Sequence, residues 1–388
     1  MDASEKKSTD ESDRALMPHK GGRTAQIAIV IIVVAVVVIA AAFASGILSS
    51  GSNKEKVTLT GAGATFPMPL ILKWADEYYT VTDGRVQINY GGGGSGAGVT
   101  QIKEKQVDFA GTDAPLSASD SSTYGLVHIP ETLGAVVVAY NLPGISTLKL
   151  DGDTVARIFM HNITTWNDPT IATLNPGITL PSTTIAKVTR SDSSGTTFVF
   201  SGYLEIVSQT FEDLYGQGKT VAWPTGTIAQ SGNSGVAQAV QGTAYAIGYI
   251  ELSYALANNI LFAEVKNHDG NFVTASLETT AAAAASAVPD LPAGDGDWSA
   301  VDILDAPGAN SYPIASFTYI LVYKELYDSE SKMNKTAAQT LVDFLWWAVH
   351  EDGQSFADDL DYAPLPAAVV ALDEETLGML TYQGNPVL

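Results

Sequence analysis

The sequence predicts an α/β fold with a largely parallel sheet, divided into two domains or lobes. Short strand-like runs alternate with segments of helical periodicity from residue 57 onward, and this rhythm is typical of βαβ units. The chain has 388 residues, and a domain usually takes about 150, which suggests two lobes with appendages. It contains no cysteine, so no disulfide scaffold or thiolate-bound metal is expected to support the fold.

The first predicted elements lie between residues 57 and 140. Apolar patterning predicts strands at residues 57–61, 86–90, 107–111 and 135–140. Pro67 fits the first turn of a helix, since its missing N–H costs nothing there. The apolar residues of that helix follow at helical spacing: Leu70, Ile71, Trp74 and Tyr78. A second, short helix is predicted at residues 97–105.

The later elements repeat the alternation. Strands are predicted at residues 184–189, 246–249 and 317–323. Asp151 or Asp153 can cap the start of a helix, because a carboxylate accepts from the free N–H groups of the first turn. That helix contains Val155, Ile158 and Phe159. Further helices are predicted after residue 196 through Val207, from residue 281, and at 336–350, where Leu341, Phe344, Leu345 and Ala348 share one face.

The N-terminal 56 residues are predicted to lie outside this fold. Residues 1–24 read as a disordered polar tail and residues 49–56 as a flexible linker. Residues 25–48 contain an uncharged stretch long enough to cross a hydrocarbon core of about 30 Å as a helix. Its length favours a retained membrane anchor over a cleaved signal, although Ala42-Phe43-Ala44 offers a cleavage site. The excess of basic residues before the span favours a cytoplasmic N-terminus and an external body.

Charge and histidine spacing exclude several classes of function. The net charge of −22 opposes binding to DNA or RNA, which needs a basic surface, so no nucleic-acid partner is expected. The five histidines are scattered without the spacing of metal-binding motifs, so neither a metal site nor a cofactor is expected. No Gly-x-Ser-x-Gly nucleophile motif occurs. The same negative charge would repel an anionic ligand at long range.

Three loops, each between a predicted strand and a predicted helix, nevertheless point to an anion. They cover residues 61–67 (GAGATFP), 91–98 (GGGGSGAG) and 190–197 (RSDSSGTT). Helix N-termini offer free N–H groups, hydroxyls add donors, and Arg190 adds a rigid fork of donors. Each loop taken alone is also compatible with a tight turn. The glycine run matches a dinucleotide fingerprint only weakly, and no P-loop lysine follows it.

Asp113 is the unusual residue near these loops, because it follows a predicted strand at the edge where ligands bind in α/β sheets. A carboxylate repels an anion unless the anion still carries a proton that it can donate. Phosphate carries such a proton at neutral pH, and sulfate does not. Asp113 is therefore either a selective acceptor or an ordinary turn residue.

Around these loops the sequence resembles the phosphate-binding proteins of ABC-type phosphate importers, a periplasmic-binding-protein family. The resemblance extends from about residue 57 to 370 and is carried by residues 59–67 (LTGAGATFP), 74–78 (WADEY), 94–102 (GSGAGVTQI), 107–117 (VDFAGTDAPLS), 175–182 (NPGITLPS), 190–204 (RSDSSGTTFVFSGYL), 246–251 (AIGYIE) and 360–366 (LDYAPLP). It implies a type II periplasmic-binding-protein fold that closes around one buried phosphate. Lobe I would comprise residues 57–138 and 312–388, lobe II residues 139–311, with a hinge near 135–141 and 311–317.

The resemblance also implies a binding site. Carried over residue by residue, the phosphate ligands are Ala64, Thr65, Phe66, Ser95, Asp113, Arg190, Ser194, Gly195 and Thr196. Asp113 would accept the phosphate proton. The third loop departs from the family pattern at Ser193, where a glycine is common. The chain also lacks a lipid-anchoring cysteine, so residues 25–48 are expected to serve as the anchor.

The expected function is that of an extracytoplasmic substrate-binding protein that captures inorganic phosphate and delivers it to the permease subunits of an ABC importer. Its N-terminal helix would hold it at the membrane. Two alternatives remain open: a binding or sensing module for another tetrahedral oxyanion without transport, and an enzyme such as an extracellular phosphatase or a dinucleotide-dependent oxidoreductase. The absent metal-ligand spacing argues against the phosphatase, and the external location argues against the oxidoreductase. No catalytic residue is therefore expected.

Overall fold

A mixed β-sheet organises the fold and sets the positions of the loops described above. The structure, a computed structural model, describes residues 55–285, 287–327 and 333–388. The predicted tail, the predicted membrane span and the linker up to residue 54 lie outside these described residues. Among the helices within them, none has both the length and the apolar character that a membrane crossing needs.

The elements alternate along the chain much as the sequence predicts. The strands are β1 Val57–Gly63, β2 Val86–Gly91, β3 Phe109–Thr112, β4 Leu126–Asn141, β5 Lys149–Leu150, β6 Ala186–Arg190, β7 Ile228–Gln230, β8 Ala246–Glu251, β9 Leu261–Phe262, β10 Glu264–Lys266, β11 Phe272–Val273, β12 Ala315–Tyr323, β13 Thr381–Tyr382 and β14 Asn385–Pro386. The α-helices are α1 Met68–Val81, α2 Ser95–Lys103, α3 Ala118–Tyr124, α4 Gly152–Phe159, α5 Pro169–Leu174, α6 Gly195–Val207, α7 Gln209–Leu214, α8 Gly232–Gly242, α9 Leu252–Ala257, α10 Leu277–Ala284, α11 Lys335–Val349, α12 Glu351–Gln354 and α13 Ala367–Gly378. Short 3-10 helices lie at Val288–Asp290, Trp298–Ala300 and Asp358–Leu360.

The main sheet has the strand order β2-β1-β3-β12-β4-β8-β6-β7, with β9 beside β4. β1 is parallel to β2 and β3, and β6 is parallel to β7 and β8. The centre is antiparallel, because β12 runs against β3 and β4, and β4 runs against β8. The prediction of a largely parallel sheet was therefore wrong for the centre. There β12 returns from late in the chain to lie between β3 and β4, so the local βαβ rhythm does not reveal its direction.

Strand β4 joins the two parallel parts of the sheet. Its first part pairs with β12 and its last part, from Val136, pairs with β8. Every residue of β4 except Asn141 is buried. The sequence predicted only residues 135–140 as strand, because His128, Pro130 and Glu131 interrupt the apolar pattern earlier in β4.

The two predicted hinge segments lie side by side at this point. Ala135 pairs with Ala315, and the N–H of Val136 donates to the Ile314 carbonyl at 2.8 Å. The lobe boundaries at 138/139 and 311/312 stay predictions.

Helices α1 and α11 have the apolar faces that the sequence predicts. The buried residues include Leu70, Ile71, Trp74 and Tyr78 of α1 and Leu341, Phe344, Leu345 and Ala348 of α11. The rings of Tyr78 and Phe344 meet edge to face with centroids 5.3 Å apart, so the two helices pack together. The indole N–H of Trp74 donates to the Gly353 carbonyl at 2.8 Å. These contacts anchor the helix that follows the first loop.

Helix starts follow local capping chemistry. Asp151 caps α4 by accepting from the N–H of Thr154 at 2.9 Å, which selects one of the two predicted candidates. Helix α10 begins at Leu277, ahead of the predicted residue 281, because Ser276 and Thr279 form a capping box. Helix α2 begins at Ser95, two residues ahead of its predicted start.

Helix α2 packs against the sheet so closely that residue 98 must lack a side chain. A Cβ on Gly98 would lie 2.6 Å from the Gly63 Cα and 2.7 Å from the Ala62 carbonyl oxygen, both of them backbone atoms that cannot swing away. We predict that Gly98→Ala lowers the free energy of unfolding by about 1–3 kcal/mol, measured by chemical denaturation.

Gly91→Ala is the matched control, because a Cβ there meets nothing within 4 Å. Its unfolding free energy should stay within about 0.5 kcal/mol of the parent value. Equal stabilities of the two variants would contradict the close packing of α2.

Candidate anion-binding site

The ends of β1, β2, β3 and β6 bring the three predicted loops together. The first loop connects β1 to α1, the second β2 to α2, and the third β6 to α6. The N–H of Gly94 in the second loop donates to the Gly63 carbonyl of the first at 3.0 Å. The N–H of Gly96 donates to the Ser193 carbonyl of the third at 2.9 Å. Loops that are far apart in sequence therefore meet at one place in the fold.

Arg190, the last residue of β6, places a buried positive charge there, since its side chain is 1% exposed. Its guanidinium pairs with Asp192, with Nη2 2.5 Å from Oδ2 and Nε 2.8 Å from Oδ1. Nη1 donates to Thr196 Oγ1 at 3.2 Å, and Nη2 donates to Thr65 Oγ1 at 3.4 Å. Because Nη1 carries two hydrogens and uses one, another N–H remains for a ligand. Asp192 orients the guanidinium and balances its charge.

Asn233 fixes the direction of two hydroxyl groups. This fully buried residue lies in the first turn of α8. Its N–H and its Nδ2 group donate to Thr65 Oγ1 at 3.2 and 3.1 Å, and Nδ2 also donates to Thr196 Oγ1 at 3.1 Å. With the donors from Arg190, these bonds use the acceptor capacity of both hydroxyls. The O–H protons of Thr65 and Thr196 are therefore left to point at an anion.

Backbone donors add to these hydroxyls. Within the described part of the chain, the N–H groups of Thr65, Phe66, Ser95, Gly195 and Thr196 are among those that donate to no protein acceptor. Three of them belong to the first turns of α2 and α6, where no intrahelical acceptor exists. Ser194 caps α6 by accepting from the N–H of Thr197 at 3.0 Å, which leaves its own O–H free to donate. Converging donors of this kind favour a negative group.

Asp113 places one acceptor among these donors. It is 2% exposed, and its Oδ1 accepts from the Thr318 hydroxyl at 2.9 Å. Its N–H donates to Ser95 Oγ at 3.2 Å, while its Oδ2 has no partner within the described residues. Burial raises the pKa of Asp113 to about 7, although Thr318, Arg190 and Ser95 act to lower it. An unpaired carboxylate oxygen suits a ligand that brings its own O–H.

The lack of a side chain at residue 195 lets the third loop reach Asp113. A Cβ on Gly195 would overlap both Asp113 Oδ2 and Ser95 Oγ. The structure thus brings Ser95, Asp113 and Gly195 together at one point.

Three tyrosines hold the first loop by its carbonyl groups. The Ala64 carbonyl accepts from Tyr90 at 2.9 Å, and the Thr65 carbonyl accepts from Tyr254 at 2.6 Å. The Phe66 carbonyl accepts from Tyr362, also at 2.6 Å. The N–H of Ala64 already donates to the Gly111 carbonyl at 2.9 Å. Ala64 therefore has no free N–H for a ligand, and it supports the loop instead. Thr65 and the N–H of Phe66, in contrast, can still donate to a ligand.

Several residues of the site were missed by the sequence reasoning. They are Asp192, Asn233, Thr318, Tyr90, Tyr254 and Tyr362. A signal existed for Asn233, because residues 231–235 (SGNSG) form a fourth glycine-containing helix start that directly follows a strand. Asp192 lies inside the third loop itself. The other four stand in ordinary strand, helix or loop contexts, where only the fold shows what they touch.

Glu251 supports Asn233 from the end of β8. Its N–H donates to Asn233 Oδ1 at 3.0 Å, which fixes the amide orientation. Its carboxyl group is fully buried and accepts from the N–H of Ser253 at 2.9 Å, with the Ser253 and Tyr362 hydroxyls close by. Burial raises the pKa of Glu251 to about 8.

Together these groups form a buried cradle of donors with one acceptor, suited to a tetrahedral oxyanion that still carries a proton. In the described ranges, no group of three or more His, Cys, Asp and Glu side chains could hold a metal ion. The converging donors support binding by hydrogen bonds.

Most of the chain, including these loops, is similar to known proteins. A family model for the PBP superfamily domain matches residues 48–349. Phosphate-binding protein PstS of Pasteurella multocida is 41% identical over 315 residues, which cover 81% of this chain and 88% of that protein. Phosphate-binding protein PstS of Methanocaldococcus jannaschii is 37% identical over 350 residues, which cover 86% of this chain and 89% of that protein.

Solved structures share the α/β fold. A high-affinity periplasmic phosphate-binding protein, PfluDING, solved with bound phosphate, superposes with a TM-score of 0.63 at 23% identity, covering 82% of this chain and 92% of that one. A phosphate-binding protein from Stenotrophomonas maltophilia gives a TM-score of 0.62 at 22% identity, covering 83% and 94%.

The buried Glu251 carboxyl makes folding stability depend on pH. Its pKa is about 8 in the folded state against an ordinary value of 4.5, so its stabilising contribution is complete below pH 4.5 and is lost as pH rises to about 8. We predict that the unfolding free energy of the parent falls across this window more steeply than that of Glu251→Gln. The difference in slope should reach at most about 1.4 kcal/mol per pH unit, measured by denaturation without ligand.

Glu104→Gln, at an exposed position after α2, controls for the loss of a negative charge and should keep the parent slope. Parallel pH profiles for the parent and Glu251→Gln would show that Glu251 is not protonated in the fold.

Proposed function

The chain belongs to the PstS family of phosphate-binding proteins, and we propose that it captures inorganic phosphate outside the cytoplasm and delivers it to an ABC phosphate importer. The role is one of binding, without a chemical step.

One observation carries the proposal: Asp113 Oδ2 is buried and has no partner within the described residues, and it lies beside Gly195 at the loop whose N–H groups are free to donate. Monohydrogen phosphate needs donors for its unprotonated oxygens and an acceptor for its O–H. Sulfate at the same pH has no O–H, so it would face the Asp113 carboxylate with nothing between the two charges. The site therefore selects phosphate by its proton.

We assign the donors to the side chains or N–H groups of Thr65, Phe66, Ser95, Arg190, Ser194, Gly195 and Thr196. Ala64 is assigned a supporting role. The Arg190–Asp192 pair contributes little net charge, so oriented dipoles supply most of the attraction. This arrangement suits a chain with a net charge of −22, since short-range hydrogen bonds do not depend on long-range steering.

We further propose that the site is complete only when two lobes of a type II periplasmic-binding-protein fold close. Thr65 and Ser95 would belong to lobe I, and Arg190 and Asn233 to lobe II. The bonds from Arg190 and Asn233 to Thr65 would then break on opening. Rotation about segments 135–141 and 311–317 would release phosphate to the permease subunits of the importer.

Residues 25–48 are proposed to anchor the protein in the cytoplasmic membrane, with the body on the external side. The uncharged span and the charge asymmetry around it support this assignment.

Asp113→Asn tests the selection by proton. Isothermal titration of the parent should give phosphate binding at least about 100-fold tighter than sulfate binding. The variant should bind phosphate about 10- to 100-fold more weakly, because a hydrogen bond to a charged group is lost. Its sulfate affinity should rise, since an amide can donate where the carboxylate repels.

Asp76→Asn, at an exposed position on α1, removes the same charge away from the site and should leave both affinities within about twofold. Equal affinity of the parent for phosphate and sulfate would overturn the proposal and favour a general oxyanion-binding module.

Cell fractionation tests the anchor. The exported full chain should sediment with membranes, dissolve in detergent but not in concentrated salt, and keep its N-terminal peptides in mass spectrometry. A variant without residues 25–48 should lose the membrane-bound form. A soluble mature protein that begins after Ala44 would instead establish a cleaved signal.

A further inference from the structure

Glu131 is a buried carboxyl group that the proposed site does not use. It lies on β4 where the pairing with β12 shifts: Thr318 pairs with Thr132 and Tyr319 pairs with Pro130, so Glu131 has no partner in the ladder. A residue left over in a β-bulge often has its side chain redirected. Glu131 is 0% exposed, and its carbonyl accepts from the Gln354 side chain at 3.0 Å.

The Thr318 hydroxyl stands between Glu131 and Asp113. Its Oγ1 lies 2.9 Å from Asp113 Oδ1 and 3.3 Å from Glu131 Oε1. A hydroxyl has one proton to donate, so it satisfies one of these carboxylates fully and not both. Asp113 and Glu131 are buried and share contact with one hydroxyl, and two buried carboxyl groups in such proximity do not both ionise at neutral pH. The pair therefore holds one proton, and the question is which carboxyl carries it.

The charges around the pair favour a proton on Glu131. Asp113 is stabilised in its charged form by Arg190 and Ser95 as well as by Thr318. The charged group that acts on Glu131 is Asp113 itself, and burial followed by this repulsion raises the pKa of Glu131 well above its usual range.

The other titratable groups around the pair are neutral tyrosines. Tyr90 faces both carboxyls, while Tyr254 and Tyr319 face Asp113, and burial raises the pKa of each. Glu251 and Asp302 act on Tyr254 and Tyr319 respectively and do not act directly on the pair. None of these groups supplies Glu131 with a counter-charge.

We infer that Glu131 is the positioning residue that keeps Asp113 an acceptor: its protonated carboxyl donates to Thr318 Oγ1, which in turn donates to Asp113 Oδ1. The inference rests on the proposed function, because it concerns the acceptor that selects phosphate. The chain of two hydrogen bonds leaves Asp113 Oδ2 as the free acceptor. If the proton moved to Asp113, that residue would become a donor and the site would accept sulfate.

Glu131→Leu and Glu131→Gln separate this role from simple packing. Leucine cannot donate, so Thr318 is free to turn toward the Thr112 carbonyl, 3.5 Å away, and Asp113 loses its fixed donor. Phosphate affinity at pH 7 should fall about tenfold in Glu131→Leu. Glutamine donates at every pH, so Glu131→Gln should restore affinity to within about threefold. It should also abolish the loss of affinity that the parent shows when Glu131 ionises at high pH.

Thr132→Val is the matched control, because Thr132 is equally buried, pairs with Thr318 and bonds to the Ala363 carbonyl instead of Asp113. It should keep the parent affinity and pH profile. Two results would overturn the inference: parent-like affinity in Glu131→Leu, or about tenfold tighter binding of both anions by Glu131→Gln, which would show that Glu131 is charged.

Infrared spectroscopy of the full chain without phosphate tests the proton directly, even if Glu131→Leu fails to fold. Part of the protonated-carboxyl C=O band at pH 7 should disappear in Glu131→Gln and persist in Asp113→Asn. Loss of this component in Asp113→Asn alone would place the proton on Asp113 and refute the inference. A parent that shows the component lost in Glu131→Gln but binds no phosphate would refute the proposed function and leave the proton assignment standing.

Discussion

The amide of Asn233 links the parts of the chain on which the site depends. A buried anion loses its water, so the protein must present donors that have no other partner. Asn233 achieves this by filling the acceptor positions of Thr65 and Thr196, which leaves both hydroxyls only their protons to offer. The backbone of Glu251 fixes the amide in turn. One neutral side chain thus orients donors on two different loops and requires no net charge.

The sequence predicted the loops of the site better than the long-range contacts that join them. Thr65, Ser95 and Arg190 stand in loops whose local sequence predicts anion binding, because it combines glycines, hydroxyl groups and a following helix. Asn233 acts on Thr65 across 168 positions of sequence, and no local pattern encodes that contact. The antiparallel centre of the sheet was missed for the same reason, since β12 reaches β4 only through the fold. The apolar run at residues 135–140 predicted less than half of β4, because Pro130 and Glu131 interrupt the pattern that a longer strand would show.

Those interruptions lie beside the proposed binding site. A strand with a proline and a carboxylate at its buried centre is locally inconsistent with its own structure, and such conflicts concentrate at binding sites. Here the bulge turns Glu131 toward Thr318 and so places a second carboxyl behind Asp113. The fold thus buries that carboxyl next to Asp113, to which we assign recognition of the phosphate proton.

The three tyrosines on the first loop have a consequence for biosynthesis. Tyr90, Tyr254 and Tyr362 come from early, middle and late parts of the chain, yet each holds one of three successive carbonyls. The loop therefore takes its final shape only after the last of these segments has been synthesised and docked. A partly made chain would carry the glycine-rich loops without a finished cradle. Formation of the first loop therefore depends on contacts from nearly the whole length of the described chain.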